Sequence, residues 1–308
     1  MKLIVSYRKD LHNGIEVPCY ANSYVREFKA LGHDVLTLGE NQDVSLDQLH
    51  TINLNQWDLV LDIDNGRNPD GNLPFIGHCF VTKGPKWAIP TAVIFTDSHG
   101  QASLHHRLAP YYSHVFFAVY SRRDIFAKHK SAHWSPNATD LEWFGSDRSK
   151  AMSTEFEFDF GFFGSKFGLD RAHPMIEICK KHSWTYDVRQ LAKTYKPKWP
   201  MTGIAMSRCR NLFNKGQKHD INLRIFESMA NGAPLVCDRD VDSGMDLLFE
   251  AEKHYVPYNV DYSDLEEAMK WVVNKPTDAI LMAKLAYEEV INKHLIKHRV
   301  QQILEVVS

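Results

Sequence analysis

The residues best suited to chemistry lie in one short segment of the chain. Asn222, Arg224 and Glu227 fall at the start of a predicted helix. The first backbone N–H groups of a helix have no partner within it, so helix N-termini attract anions. A carboxylate one turn further along can accept hydrogen bonds from a ribose. The segment therefore suits a ligand with phosphates and hydroxyls, although an amphipathic helix with solvated charges would show the same pattern.

The neighbouring residues define the helix that positions this segment. Apolar side chains recur at helical spacing along one face: Leu223, Phe226, Met229 and Ala230. Gly232 is expected to end the helix, because glycine accepts the left-handed conformation of a C-terminal cap. Pro234 prevents continuation, and residues 235–237 predict a short buried strand. We expect the helix to pack against a sheet and its charged residues to point away from that sheet.

The pattern R-x-F-E-x-x-A-x-G-x-P over residues 224–234 resembles the donor-binding signature of group-1 nucleotide-sugar glycosyltransferases. With D-x-N at residues 220–222 and V-C-D at residues 236–238, it is most similar to the spore-maturation (CgeB-like) branch. The resemblance implies the α/β GT-B fold. In that fold two Rossmann-like, doubly wound domains face each other across a cleft, and a C-terminal helix crosses back to the N-terminal domain. It also implies that Glu227 touches the donor ribose or sugar and that Arg224 lies near the phosphates.

His219 departs from the family pattern. Many group-1 enzymes carry an E-x7-E pair, and the place of the first glutamate is taken here by His219, eight residues before Glu227. The residue that touches the donor sugar in retaining members is thus missing, which leaves the stereochemical outcome of transfer open. The same departure is the reason to consider a non-catalytic nucleotide-sugar binding module as an alternative.

The composition is that of an ordinary globular protein with room for two domains. The chain has 308 residues, 44% hydrophobic and 24% charged, and a formal net charge of −2, which gives no overall field for nucleic acid or an acidic membrane. The five cysteines are scattered, and no leader or membrane-spanning run is visible, so we expect a cytoplasmic protein without membrane insertion. With the resemblance, we expect an acceptor domain over 1–145, a polar linker within 139–154, a donor domain over 155–292 and a final helix over 293–308.

The N-terminal half opens like a Rossmann-like domain. A strand over residues 2–6, a polar loop with Gly14, a helix over residues 20–31 and a strand over residues 35–38 are predicted in order. This order resembles the opening βαβ unit of a GT-B enzyme. The resemblance implies that the backbone near Gly14 approaches the donor.

Asp62 and Asp64 follow an apolar strand predicted over residues 57–61. A D-x-D pair holds Mn²⁺ or Mg²⁺ in GT-A glycosyltransferases, because hard cations prefer carboxylate oxygens. A metal-dependent, GT-A-like transferase is therefore an alternative. We favour a strand end that meets a polar loop, because the C-terminal signature belongs to a fold in which a helix dipole and basic side chains replace the cation.

Asp97 and His99 follow a buried strand predicted over residues 90–95. Polar residues at the carboxyl end of a parallel strand lie where α/β sheets place their sites. Either side chain could accept the proton of an acceptor hydroxyl, directly or in relay. We predict that one of them serves the acceptor, although a histidine in a chain with 16 of them is commonly a surface or core residue.

A second anion-binding pattern opens the C-terminal half. A strand over residues 158–163 gives way to Gly164, Ser165 and Lys166, and Arg171 follows near a helix start. Backbone N–H groups and two cations are suited to an anion, and a solvated turn is the alternative. The resemblance implies contact with the donor pyrophosphate here, and it places Tyr258 in a loop beside the donor.

These patterns predict a metal-independent glycosyltransferase that needs no cofactor. Its donor is a nucleoside-diphosphate sugar, with UDP the favoured nucleotide, and Lys166, Arg171 and Arg224 stabilise the departing diphosphate. Its acceptor is a hydroxyl of a saccharide, of a polymer or of a hydroxymethylated base in phage DNA. The DNA interpretation depends on two basic stretches, residues 193–198 and 208–218.

Overall fold

The computed structural model describes most of the chain, which divides into two compact units. The described residues are 1–7, 11–12, 15–16, 19–39, 41–63, 89–96, 98–145, 156–164, 170–190 and 198–308. The first unit combines Met1–Pro136 with Ile296–Ser308, and the second is Asn137–Leu295. Within the described ranges, no helix has both the length and the apolar character needed to span a bilayer.

The first unit is built on a six-stranded parallel sheet with strand order β4-β1-β5-β6-β7-β8. Its strands are β1 Lys2–Ser6, β4 Asp34–Leu38, β5 Leu59–Ile63, β6 Thr91–Phe95, β7 His114–Phe117 and β8 Ala132–Trp134. β5 and β6 are buried at every position. Their sequences are largely apolar, as expected for strands that are covered on both faces. A short antiparallel hairpin, β2 Leu11–His12 with β3 Ile15–Glu16, lies where the sequence predicted only a polar loop.

The helices of the first unit include the last helix of the chain. Its α-helices in the described residues are α1 Tyr20–Ala30, α2 Ser98–Leu108 and α9 Ile296–Val307, with 3-10 helices at Leu46–Thr51, Leu54–Gln56, Ala109–Tyr111 and Tyr120–Phe126. Helix α9 packs on α1. The Arg299 Nε donates to the Pro136 carbonyl at 2.7 Å, and the Gln302 side-chain amide donates to the Trp134 carbonyl at 3.0 Å. These bonds fix the C-terminus on the first unit.

The second unit is built on a five-stranded parallel sheet with strand order β10-β9-β11-β12-β13. Its strands are β9 Phe158–Gly164, β10 Tyr186–Gln190, β11 Cys209–Asn214, β12 Leu235–Asp238 and β13 Val256–Tyr258. Its helices are α3 Leu141–Phe144, α4 His173–His182, α5 Lys198–Ser207, α6 Leu223–Ala230, α7 Leu265–Asn274 and α8 Pro276–Lys293, with 3-10 helices at Val241–Ser243 and Met245–Leu247. Phe160, Phe213 and Val236 from three strands lie in its hydrophobic core.

Helix α3 lies in the segment 139–154, where the sequence predicted a polar linker. Asp140 begins this helix by accepting a hydrogen bond from the Glu142 backbone N–H at 3.0 Å. The side-chain amide of Asn231, just after α6, donates to the carbonyls of Phe144 at 3.4 Å and Gly203 at 3.1 Å. The first part of the expected linker is therefore packed into the second unit, which hydrophobic patterning could not reveal in so short a helix.

Candidate functional site

Helix α6 is enclosed on almost every side. It contacts helices α3 and α8 and strands β11 and β12, and residues 225–230 are all buried. Glu227 is 1% exposed in consequence. The sequence predicted that the charged residues of this helix point away from the sheet, with solvated charges as the alternative. Burial removes that alternative for Glu227, because neighbouring helices also cover this part of α6.

Arg224 and Glu227 form an ion pair one helical turn apart. Burial raises the pKa of Glu227 to about 7, and the adjacent guanidinium lowers it in part. Burial also lowers the pKa of Arg224. Ionisable side chains with such shifted pKa values cluster at functional sites, since burying a charge is costly unless a partner or a ligand compensates it.

Several buried polar atoms around this pair have no hydrogen-bond partner among the described residues. They are Asn222 Oδ1, Arg224 Nε and Ser228 Oγ. Asn222 precedes the helix in an extended conformation, and its side chain makes no capping hydrogen bond to the first turn. Unpaired buried polar atoms also occur elsewhere in the described residues, as at Ser6 Oγ and Tyr255 Oη, but here three of them surround one buried ion pair. Because buried polar groups are mostly paired in folded proteins, a polar ligand would suit this cluster.

Asp238, at the carboxyl end of β12, fixes the loop that leads into α6. Its carboxylate accepts a hydrogen bond from the Gly216 backbone N–H at 2.7 Å and pairs with Lys215 Nζ at 2.9 Å. The same ammonium donates to the Val260 carbonyl at 2.9 Å. Arg171 Nη1 donates to the Lys215 carbonyl at 2.8 Å. Arg171, predicted to contact pyrophosphate, thus uses one guanidinium nitrogen to hold this loop.

Tyr258 lies in the core of the second unit. It is 1% exposed, its ring stacks on Phe213 and Tyr262, and its hydroxyl donates to the Asn214 carbonyl at 2.8 Å. Burial raises its pKa well above the ordinary value. The hydroxyl of Tyr258 therefore connects the end of β13 to the end of β11, and its ring packs in the core of the second unit.

A pocket of 380 Å³ lies at the carboxyl ends of β11 and β12. The residues that line it are Lys215, Gly216, Lys218, His219, Asp238, Arg239, Asp240, Val241, Asp242 and Val260. Side-chain ligand atoms of His219, Asp240 and Asp242 lie within 4.8 Å of one another, close enough to share a cation. In the structure these side chains pair with one another, because His219 Nδ1 lies 2.9 Å from Asp240 Oδ2 and 3.9 Å from Asp242 Oδ2.

Other predicted site residues are only partly described. Gly164 ends β9, and a Cβ there would lie 2.7 Å from the Phe162 ring, so a side chain at this position would have to displace that ring. His99 lies in the first turn of α2, where only its backbone is described. The predicted residues that lie outside the described ranges are Gly14, Asp64, Asp97, Ser165 and Lys166.

Asp62 has the surroundings of a structural carboxylate. It is 2% exposed in the first sheet, and its Oδ2 accepts a hydrogen bond from the Tyr112 hydroxyl at 2.7 Å. A metal ligand needs oxygen lone pairs directed at the ion, and here one oxygen is already engaged inside the core. The structure therefore gives no support to Asp62 as a metal ligand, one of the two ligands that the metal-dependent alternative needs.

The sequence did not single out Asp240 or the clamping role of Asp238. Both follow β12, just as Lys215 follows β11, and the carboxyl ends of neighbouring parallel strands meet at one edge of a sheet. The available signal was therefore two polar strand ends in a predicted parallel sheet.

The second half of the chain matches a known family. Residues 150–305 match the model of the family described as "Glycosyl transferase-like". The chain belongs to this glycosyl transferase-like family. The enzyme is a glycosyltransferase, as the sequence predicted. Among curated proteins, none matches it in sequence.

Solved structures with the same fold align with most or all of the chain. The structure of phage T4 BGT with UDP and Mn²⁺ has a TM-score of 0.63 and 14% identity, over 100% of this chain and 99% of that one. The Anabaena protein Alr3699/HepE with UDP-glucose has a TM-score of 0.62 and 12% identity, over 99% of this chain and 98% of that one. S. aureus TarM has a TM-score of 0.60 and 12% identity, over 81% of this chain and 55% of that one. These likenesses confirm the predicted α/β GT-B fold.

Proposed function

We propose that the enzyme transfers glucose from UDP-glucose to a hydroxyl acceptor without a metal ion. The observation that carries this proposal is the buried Arg224–Glu227 pair beside unpaired polar atoms at the start of α6. A buried carboxylate beside an uncapped helix start offers acceptors for ribose hydroxyls and donors for phosphate oxygens. Two of the similar structures, T4 BGT and HepE, were solved with UDP-glucose, which supports this donor.

The proposed chemistry stabilises a departing diphosphate with at least two negative charges. The first-turn N–H groups of α6 and the Arg224 guanidinium supply positive potential, while Glu227 accepts hydrogen bonds from the ribose. Lys166 is a further cation in this proposal, and Arg171 holds the Lys215 loop. Asp97 or His99 removes the acceptor proton. Asn222, in the D-x-N pattern, also supports a proposed place in the CgeB-like branch.

Donor binding and transfer test this proposal directly. UDP-, GDP-, ADP- and CMP-sugars are compared by thermal shift, since a ligand that binds only the folded state raises its apparent stability by about 2.7 kcal/mol at a hundredfold excess over Kd. We expect a shift with UDP-glucose alone, and transfer that persists in a chelator. Binding without donor cleavage or transfer would indicate a non-catalytic module. Loss of activity in the chelator, restored by Mn²⁺, would refute metal independence.

The acceptor we favour is a saccharide hydroxyl, because two cations of residues 208–218, one of the two basic stretches on which the DNA interpretation depended, are paired with carboxylates. Arg208 pairs with Glu157 and Lys215 pairs with Asp238. Hydroxymethylated DNA is the second candidate, since one similar structure of full-length coverage is a DNA-modifying β-glucosyltransferase. Transfer to hydroxymethylated duplex but not to unmodified duplex, with affinity falling steeply in salt, would establish DNA instead.

A further inference from the structure

His219 occupies a distinct electrostatic position on the loop between β11 and α6. It lies on the wall of the 380 Å³ pocket, eight residues before Glu227. Its Nδ1 is 2.9 Å from both carboxylate oxygens of Asp240 and 3.9 Å from Asp242 Oδ2. The imidazole is 55% exposed, whereas the Asp240 side chain is 17% exposed. A partly buried carboxylate thus holds one edge of a ring that stays open to solvent.

Both members of this pair are held by their own loops. Asp240 Oδ1 accepts a hydrogen bond from the Asp242 backbone N–H at 3.1 Å, which caps the 3-10 helix Val241–Ser243. Lys218 and His219 both have left-handed backbones, with φ of 52° and 59°. Non-glycine residues adopt this conformation only where the surrounding structure requires it, and such positions concentrate at ligand sites.

The charges around the ring favour an imidazolium that faces an anion. The charged and titratable groups that line the pocket with it are Lys215, Lys218, Asp238, Arg239, Asp240 and Asp242. Asp238 is engaged by Lys215. Two carboxylates lie within 4 Å of Nδ1, and a protonated imidazole has N–H donors on opposite sides of the ring. With Nδ1 directed at Asp240, the Nε2 donor lies on the far side of the ring from that carboxylate.

We propose that the His219–Asp240 pair is a cationic contact for the departing diphosphate, with Asp240 as the positioning residue for His219. This inference rests on the proposed donor, a nucleoside-diphosphate sugar. In the reaction, the acceptor oxygen bonds to the anomeric carbon and its proton passes to Asp97 or His99. The bond from the anomeric carbon to the β-phosphate oxygen breaks, and its electron pair stays on that oxygen. His219 keeps its proton and donates a hydrogen bond to the phosphate.

This arrangement reverses the charge that group-1 relatives place here. A glutamate accepts hydrogen bonds from sugar hydroxyls, and it repels phosphate. An imidazolium does the opposite, so the pair acts on the leaving group and not on recognition of the sugar. Its effect therefore falls mainly on kcat, because negative charge on the diphosphate grows as the glycosidic bond breaks.

The test measures kcat and KM for UDP-glucose across pH in four proteins: wild type, His219→Gln, Asp240→Asn and Glu250→Gln. Glu250→Gln is the control, because its carboxylate is in an exposed pair with Lys253 and neither residue lines the pocket. We expect His219→Gln to lower kcat by about a hundredfold, the typical effect of removing one preorganised donor, with KM changed less than about threefold. We expect kcat to fall at alkaline pH, where His219 would lose its proton, and we expect Asp240→Asn to move that fall to lower pH. The control should match wild type.

Several results would overturn the inference. His219→Gln with the wild-type kcat, or Asp240→Asn with the wild-type pH profile, would exclude the proposed roles. His219→Glu with activity restored would assign this position to the sugar hydroxyls. If wild type requires Mn²⁺ for activity, and His219→Gln and Asp240→Asn lose that requirement, the two residues hold a cation. Failure of wild type to bind UDP-glucose in the thermal-shift assay would refute the proposed function itself, before these variants are compared.

Discussion

The carboxyl edges of the two parallel sheets carry buried polar groups in contrasting states. In the first sheet, Asp62 accepts the Tyr112 hydroxyl, and Ser98 Oγ lies 2.9 Å from His105 Nδ1. All four side chains are at most 5% exposed. Each of these four side chains thus has a hydrogen-bond partner within the protein. Their geometry is what a stable core requires, because an unpaired buried polar group costs about 1–3 kcal/mol.

At the second sheet the buried polar groups are left open. Glu227 is paired with Arg224, yet Asn222 Oδ1, Arg224 Nε and Ser228 Oγ have no hydrogen-bond partner within the described residues. The two edges share parallel topology and burial, so neither property distinguishes a site. Unpaired buried atoms also occur at the first edge, where Ser6 Oγ at the end of β1 has no hydrogen-bond partner among the described residues. The second edge differs because its unpaired atoms surround a buried ion pair, and four predictions test this contrast.

The largest expected effect is on stability, from Arg224→Ala. Removal of one partner from a buried ion pair costs about 3–5 kcal/mol when the other charge stays buried. Glu227 already has a folded pKa of about 7, above its ordinary value, so its contribution to stability falls as pH rises from that ordinary value through about 7. Without Arg224 this fall steepens. In denaturant unfolding, the free energy of unfolding of the variant should fall further below that of wild type near pH 8 than near pH 5. A deficit independent of pH would mean that Glu227 is not the group responsible.

The next effect is on transfer, from Glu227→Gln. The amide keeps the shape of the side chain, but it replaces one of the carboxylate oxygens that accept hydrogen bonds from ribose and removes the negative charge. We therefore expect kcat/KM to fall about a hundredfold, equivalent to ~2.7 kcal/mol. Glu250→Gln, an exposed carboxylate in the same unit, is the control. Wild-type kcat/KM in Glu227→Gln would remove the second edge as a donor site.

Asp62→Asn should separate a structural carboxylate from a functional one. The amide oxygen of asparagine can still accept from the Tyr112 hydroxyl, so a weaker, neutral hydrogen bond is expected to lower the free energy of unfolding by about 1–2 kcal/mol. Transfer per folded molecule should stay within about threefold of wild type, as measured below the melting temperature. Normal stability with abolished transfer would break the contrast between the two edges.

The smallest effect is a pH dependence of donor affinity. If ribose hydroxyls donate to Glu227, the ionised carboxylate binds them better, so the UDP-glucose Kd should decrease as pH rises through about 7. A decrease of up to about tenfold corresponds to ~1.4 kcal/mol. Calorimetry with Glu227→Gln is the control, in which the slope should vanish. A slope that persists in this variant would assign it to another titrating group.

The sequence alone was sufficient wherever the determining interactions are local. Helix α6 ends at Ala230, and Gly232 has the left-handed φ of 73° expected of its cap. Arg224 and Glu227 meet because residues three apart lie on one face of any helix. The GT-B fold likewise followed from a signature whose residues are close together in the chain. Local spacing fixes such features before any tertiary contact forms.

Only the tertiary structure decided which of these groups are buried and which distant residues meet. The pairing of His219 with Asp240 joins residues 21 positions apart, and the Asp238 clamp on Gly216 joins residues 22 apart. Glu227 became a buried carboxyl because helices α3 and α8 cover α6 from the side that its own sequence leaves polar. Burial and pairing at strand ends depend on how separate elements converge on one sheet edge, and no periodicity within a single element encodes that convergence.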